Sequence, residues 1–163
     1  MYSGTVLNPQ QPTDEEVAKA TRQLELIVAV KEKDLAKINA LLDDGAEINH
    51  CDRSGDAPLH YAVKAEDATT TRHLIAHGAD INLQGANNST PLHICADKEN
   101  REIAMLLIRK GAKMTLRDEW GLTVPDRAAI SQRRDMARFL REQPSIQQSN
   151  RVKRLKALRP RFA

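Results

Sequence analysis

Two short motifs return at a single spacing, and that spacing limits what this chain can fold into. Ala57-Pro58-Leu59-His60 comes back as Thr90-Pro91-Leu92-His93, and the same interval separates Gly45 from Gly78 and Gly78 from Gly111. Gly-Ala-Glu-Ile-Asn at 45–49 likewise matches Gly-Ala-Asp-Ile-Asn at 78–82. A unit this short cannot enclose a core by itself, so its apolar side must be buried against the next copy. Inside the unit, proline opens a first helix where its missing N–H costs nothing. A second apolar helix follows, as in Arg101-Glu-Ile-Ala-Met-Leu-Leu-Ile108. The glycine after it suits a left-handed turn, a conformation that costs a residue with a Cβ about 1 kcal/mol.

A proline-opened helix pair closed by glycine, with a period of about 33 residues, resembles the ankyrin repeat. The resemblance implies an all-α solenoid of about four helix-turn-helix repeats with atypical capping repeats at both ends. On this reading 1–12 is a loose leader and 13–143 holds repeats near 13–49, 50–82, 83–115 and 116–143. Residues 144–163 form a polar linker and a basic tail. Thr13-Asp-Glu-Glu16 has the hydroxyl and the answering carboxylate of a helix start, so a first helix should run unbroken to about Val30. In the fourth repeat the proline is displaced by one position, to Val124-Pro125-Asp126, which puts the start of that helix in doubt. Its partner, around Asp135–Arg141, should turn Met136, Phe139 and Leu140 inwards, with Pro144 stopping it. The dozen residues between each glycine and the next first helix should project as fingers with little or no regular strand.

Aromatic residues are 3 % of the chain, which suits thin stacked layers of Leu, Ile and Ala. Two cysteines in 163 residues make no disulfide framework. Cys51 falls in a loop and Cys95 on a buried helix face, so free thiols in a reducing, cytoplasmic setting are expected. No apolar run is long enough to span a bilayer, and Met-Tyr-Ser-Gly-Thr-Val-Leu does not read as a secretory signal. The basic character belongs to the tail: Arg151, Lys153, Arg154, Lys156, Arg159 and Arg161 are six cations without an acid, so the rest of the chain is mildly acidic.

His60 and His93 invite a catalytic or metal-binding reading, but neither His93 with Cys95 nor His50 with Cys51 has zinc-ligand spacing. In the ankyrin family this histidine is structural, bonding backbone in the turn. The resemblance implies a non-enzymatic protein-protein interaction module, without cofactor or metal, expected as a monomer. Ankyrin proteins bind partners on a concave surface of finger tips and first-helix ends. Carried over residue by residue, that surface is Arg53, Ser54, Ala86, Asn87, Glu119 and Trp120 at the fingers. The first-helix ends add Lys64 with Ala65, Asp97 with Lys98, and Ile130 with Ser131. Trp120, the single tryptophan, either anchors an interface or folds against its own finger or the next helix. Its partner would be one protein face or a peptide.

Other readings put the tail to work. Val152, Leu155, Leu158 and Phe162 have near-helical spacing, so the tail could dock on a partner or on the array, and its cations suit phosphate on nucleic acid or an anionic membrane. It also has the look of a nuclear-targeting signal. A third reading is a bacterial effector acting on a host protein, because pathogens use ankyrin repeats in that way.

Overall fold

The computed structural model describes residues 13–143; the leader, the stop at Pro144 and the basic tail lie outside the described residues. Among the described residues eight α-helices form four antiparallel pairs: α1 (Asp14–Glu32) with α2 (Leu35–Asp43), α3 (Pro58–Lys64) with α4 (Ala68–Ala76), α5 (Pro91–Lys98) with α6 (Arg101–Arg109), and α7 (Val124–Ile130) with α8 (Arg134–Arg141). Consecutive first helices pack on one another, α1 on α3, α3 on α5 and α5 on α7. This is the all-α repeat solenoid expected from the recurring motifs. Among the described residues there is no strand, just an isolated bridge between Arg117 and Thr123.

The core is a strip of stacked layers. Leu26, Val30, Ile38, Leu59, Ala62 and Leu74 fill its first half, and Leu92, Ile103, Leu107, Val124, Met136 and Leu140 fill the second. Phe139, expected inside, is half-buried and packs on the edge of the second half. Gly45, Gly78 and Gly111 have φ of +87°, +89° and +98°, the left-handed turn anticipated after each second helix.

Side-chain amides tie each unit to the next. Asn49 accepts from the Asp80 N–H at 2.8 Å, and Asn82 accepts from the Lys113 N–H at 2.7 Å, one period on. At the amino-terminal end the buried Gln23 of α1 serves the equivalent Glu47, accepting from its N–H at 2.6 Å and donating to its carbonyl at 3.2 Å. That explains why α1 is 19 residues long where α3 has seven: its added turns lie over the first finger and satisfy polar backbone that a preceding repeat would otherwise cover. Thr13 and Glu16 close the capping box that starts it.

In the last pair α7 begins at Val124, one full period after Pro91, so the displaced proline does not shift the register. Pro125 sits in the first turn, whose N–H groups have no helical acceptor anyway. Asp126 takes the place of the histidine, accepting from the Thr123 hydroxyl at 2.6 Å much as His93 meets the Thr90 hydroxyl at 2.8 Å.

Candidate interaction surface

The three fingers span 46–57, 79–90 and 112–123, and their tips stand beside the exposed side of α3, α5 and α7. Each tip is a four-residue turn: Asp52-Arg-Ser-Gly55, Gly85-Ala-Asn-Asn88 and Asp118-Glu-Trp-Gly121. In the first and third fingers one carboxylate braces the whole turn. Asp52 accepts from the Ser54 and Asp56 N–H groups at 2.9 and 3.2 Å, and its second oxygen accepts from the Tyr61 hydroxyl at 2.6 Å. Two periods on, Asp118 accepts from the Trp120 and Leu122 N–H groups at 3.0 and 2.9 Å, and its second oxygen takes Nη1 of Arg127 at 2.7 Å. Tyr61 and Arg127 occupy the same place in their repeats, on the finger-facing side of the first helix.

Burial raises the pKa of both carboxylates, but the hydrogen bonds outweigh it. Asp52 is held down to about 2 by the Ser54 and Tyr61 hydroxyls and the backbone N–H groups. Asp118 is lowered by the Leu122 N–H, Arg127 and the Trp120 N–H.

Arg127 is the centre of the carboxyl-terminal half of this surface. It forms a two-pronged ion pair with Asp97, at 3.1 and 2.9 Å, in addition to its bond to the fully buried carboxylate of Asp118. Its guanidinium lies 4.7 Å from the centre of the Trp120 ring. Trp120 is therefore seated on Arg127 and still 56 % exposed. The alternatives of anchor and packing are not exclusive, since the cation holds the ring in place and leaves it open to solvent.

Beside it a cleft of about 380 Å³ runs between the second finger and the first helices, lined by Asp56, Lys64, Asn87, Ile94, Asp97 and Arg127 among others. Five of the residues named from the sequence meet there: Lys64, Ala86, Asn87, Asp97 and Lys98. Several are already engaged within the chain. Lys64 pairs with Asp56, Lys98 with Glu66 at 3.9 Å, and Ser131 donates to Asp97 at 2.9 Å. Ala86 is half-buried, and the Glu119 N–H donates to the Asn87 carbonyl at 3.0 Å, joining the second and third finger tips. Arg53 lines a different groove, against α1, and Ser54 bonds Tyr61 and Asp52. Ile130 is exposed at the end of α7 and is not among the residues of the cleft.

Sequence reasoning missed Arg127, Tyr61 and Ile94, which together form the floor of the finger-facing surface. Moving one period at a time from Val28 reaches Tyr61, Ile94 and Arg127 in turn, so the position could have been found as one whose side chain changes in every copy while its neighbours are kept.

The histidines are structural, as expected. Nδ1 of His60 accepts from the Ala57 N–H at 3.2 Å, and Nε2 donates to the carbonyls of Leu83 and Ser89 in the next finger. His93 repeats this with Thr90 and the carbonyl of Leu122. Burial lowers the pKa of both, so the neutral ring with Nε2–H is the form that fits. Burial pushes the Cys95 thiol far up, and burial with nearby Asp56 and Asp52 raises Cys51, so neither has the thiolate character of a nucleophile. Among the described residues no helix is long and apolar enough to cross a membrane.

The family model for ankyrin repeats, in three copies, matches residues 26–118, more than half of the chain. Comparison with curated proteins returns no match.

Proposed function

Because the chain belongs to the ankyrin repeat family, whose members generally mediate protein-protein interaction, we propose that it is a non-enzymatic module that captures a protein or peptide on its concave face. The observation that carries this reading is the Trp120 ring, open to solvent on one side and pinned by Arg127 beside the 380 Å³ cleft. An aromatic held in one orientation loses little freedom on binding, which is what makes such rings concentrate interface energy. Around it Asn87 offers amide donors and acceptors, and Lys64 and Lys98 offer charge at the rim. Ile94 supplies apolar floor. The mixture suits a segment with one apolar side chain flanked by polar ones.

Affinity capture from the native source tests this. The wild-type chain should retain a specific protein that Trp120→Ala loses by tenfold or more while melting within a few degrees of wild type, a loss of about 1.4 kcal/mol or greater. A partner that ignores Trp120→Ala and is lost on removing 151–163, with steep salt dependence, would place the activity in the basic tail and reject the concave face.

A further inference from the structure

We propose that α1 is also a self-association surface, through which two copies of this chain pair antiparallel about a two-fold axis. This does not depend on the reading given to the concave face. Three of the large apolar side chains left exposed lie on α1: Val17 at 49 %, Leu24 at 65 % and Val28 at 37 %. With Asp14, Thr21 and Lys31, also exposed, they follow steps of three, four, three, four and three positions, the spacing of a coiled-coil seam. The buried residues of the same helix, Gln23, Leu26, Ile27, Ala29 and Val30, fall on the opposite side, so the seam points away from the core. Of its last two members, Val28 heads the finger-facing row and Lys31 adjoins it, with the Lys31 ammonium 4.3 Å from the centre of the Tyr61 ring. The others lie on the turns that α1 adds beyond the length of a repeat helix.

The seam is self-complementary in one direction. Laid antiparallel about a point between Arg22 and Gln23, Val17 of one copy meets Val28 of the other, Thr21 meets Leu24, and Asp14 meets Lys31. All these pairings take one seam position of one helix to the other seam position of its mate, as antiparallel helix pairs require. A parallel arrangement would oppose Asp14 to Asp14 and Lys31 to Lys31, two like-charge contacts at the ends. The acidic first turn of α1, Asp14 to Glu16, and Lys31 in its last turn extend the same preference. Between the seam and the first finger lies a groove of about 820 Å³, lined in part by Val17, Ala20, Leu24 and Ile27, which gives the second helix room to settle. A contact about 25 Å long over one helix pair is smaller than the roughly 1,200–2,000 Å² of a standard interface, so the pairing is weak and concentration-dependent.

Sedimentation equilibrium of the full chain over a hundredfold concentration range tests this. The average mass should climb towards twice the monomer. Leu24→Glu, on an exposed side chain, should hold it at the monomer value with an unchanged circular dichroism spectrum. Asp14→Lys and Lys31→Glu should each weaken association several-fold, and the double variant should restore it, which no parallel or unrelated contact would do. A monomer at every concentration overturns the proposal. If Leu24→Glu then also melts several degrees lower, the seam is covered by another part of the same chain. A dimer indifferent to Leu24→Glu overturns it equally.

Discussion

The outer fingers and the middle finger have the same length and lie side by side, yet they are built differently. In the outer two, Asp-x-x-Gly places a carboxylate under the turn and a glycine at its close, Gly55 and Gly121, with φ of +87° and +74°. In the middle one the order is Gly-x-x-Asn. Gly85 leaves no carboxylate, and Asn87 and Asn88 take φ of +57° and +52°, a conformation that is strained for a residue with a Cβ. The reason for the exchange is space. A Cβ on Gly85 would lie 2.7 Å from Nε2 of His60 and 2.8 Å from Oδ1 of Asp56. In the third repeat the equivalent His93 bonds the Leu122 carbonyl beside Asp118, so the close approach at Gly85 belongs to the backbone path of the middle finger and not to the histidine as such. The middle finger is held instead by Nε2 of His60 on the carbonyls of Leu83 and Ser89, by the Glu119 N–H on the carbonyl of Asn87, by weak donation from the Ala86 N–H to Asp56 at 3.4 Å, and by its own Gln84, which donates to the carbonyls of Asn88 and Arg117. The tip bordering the cleft, with Asn87, is thus the one whose turn has no carboxylate beneath it, between two that have one.

Acid should have the largest effect, because it acts on the ties of all three fingers. His60 and His93 have pKa values lowered from 6.5, so the unfolded chain takes up protons first and stability present above that value declines as the pH falls below it. Asp52 and Asp118 are lowered from 3.8, Asp52 to about 2, so their contribution holds above 3.8 and disappears as the pH falls through the folded values. Urea melts between pH 7 and pH 2 should show two successive losses, and a profile flat to pH 4 would deny the histidine part.

Gly85→Ala should cost about 3 kcal/mol, since the added methyl must push His60 off the carbonyls of Leu83 and Ser89. A neutral result would mean that the middle finger yields and that close approach is not what keeps the glycine. Asp118→Ala should cost about 2 kcal/mol, leaving the Trp120 and Leu122 N–H groups and one arm of Arg127 without their acceptor. Asn88→Gly should go the other way, gaining about 0.5–1 kcal/mol by relieving the left-handed backbone. Thermal or urea unfolding measures all three.

The architecture was legible because the period is a long-range signal carried by residues with fixed jobs. The proline, the histidine and the closing glycine each mark a backbone geometry, and the helices start and end within a residue or two of where these place them. The start of α7 was harder to read because Pro125 stands where the other repeats have Leu59 and Leu92, and Thr123 is the residue that keeps register. The site was less legible. Trp120 and Asn87 stand out at finger tips, but Arg127 matters through Asp97, 30 residues away, and Asp118, nine away, and that triangle exists once the helices are stacked. Gln23 serves Glu47 for a reason outside any period, being part of an end cap.

Amide hydrogen exchange at three equivalent positions, Ser54, Asn87 and Trp120, asks most directly whether the carboxylate under a finger turn protects it and whether the middle finger, which has none, goes without that protection. Slow exchange at Ser54 and Trp120, where the N–H donates to a carboxylate, with clearly faster exchange at Asn87, is the predicted result. Equal protection at all three, or the slowest exchange at Asn87, would contradict it.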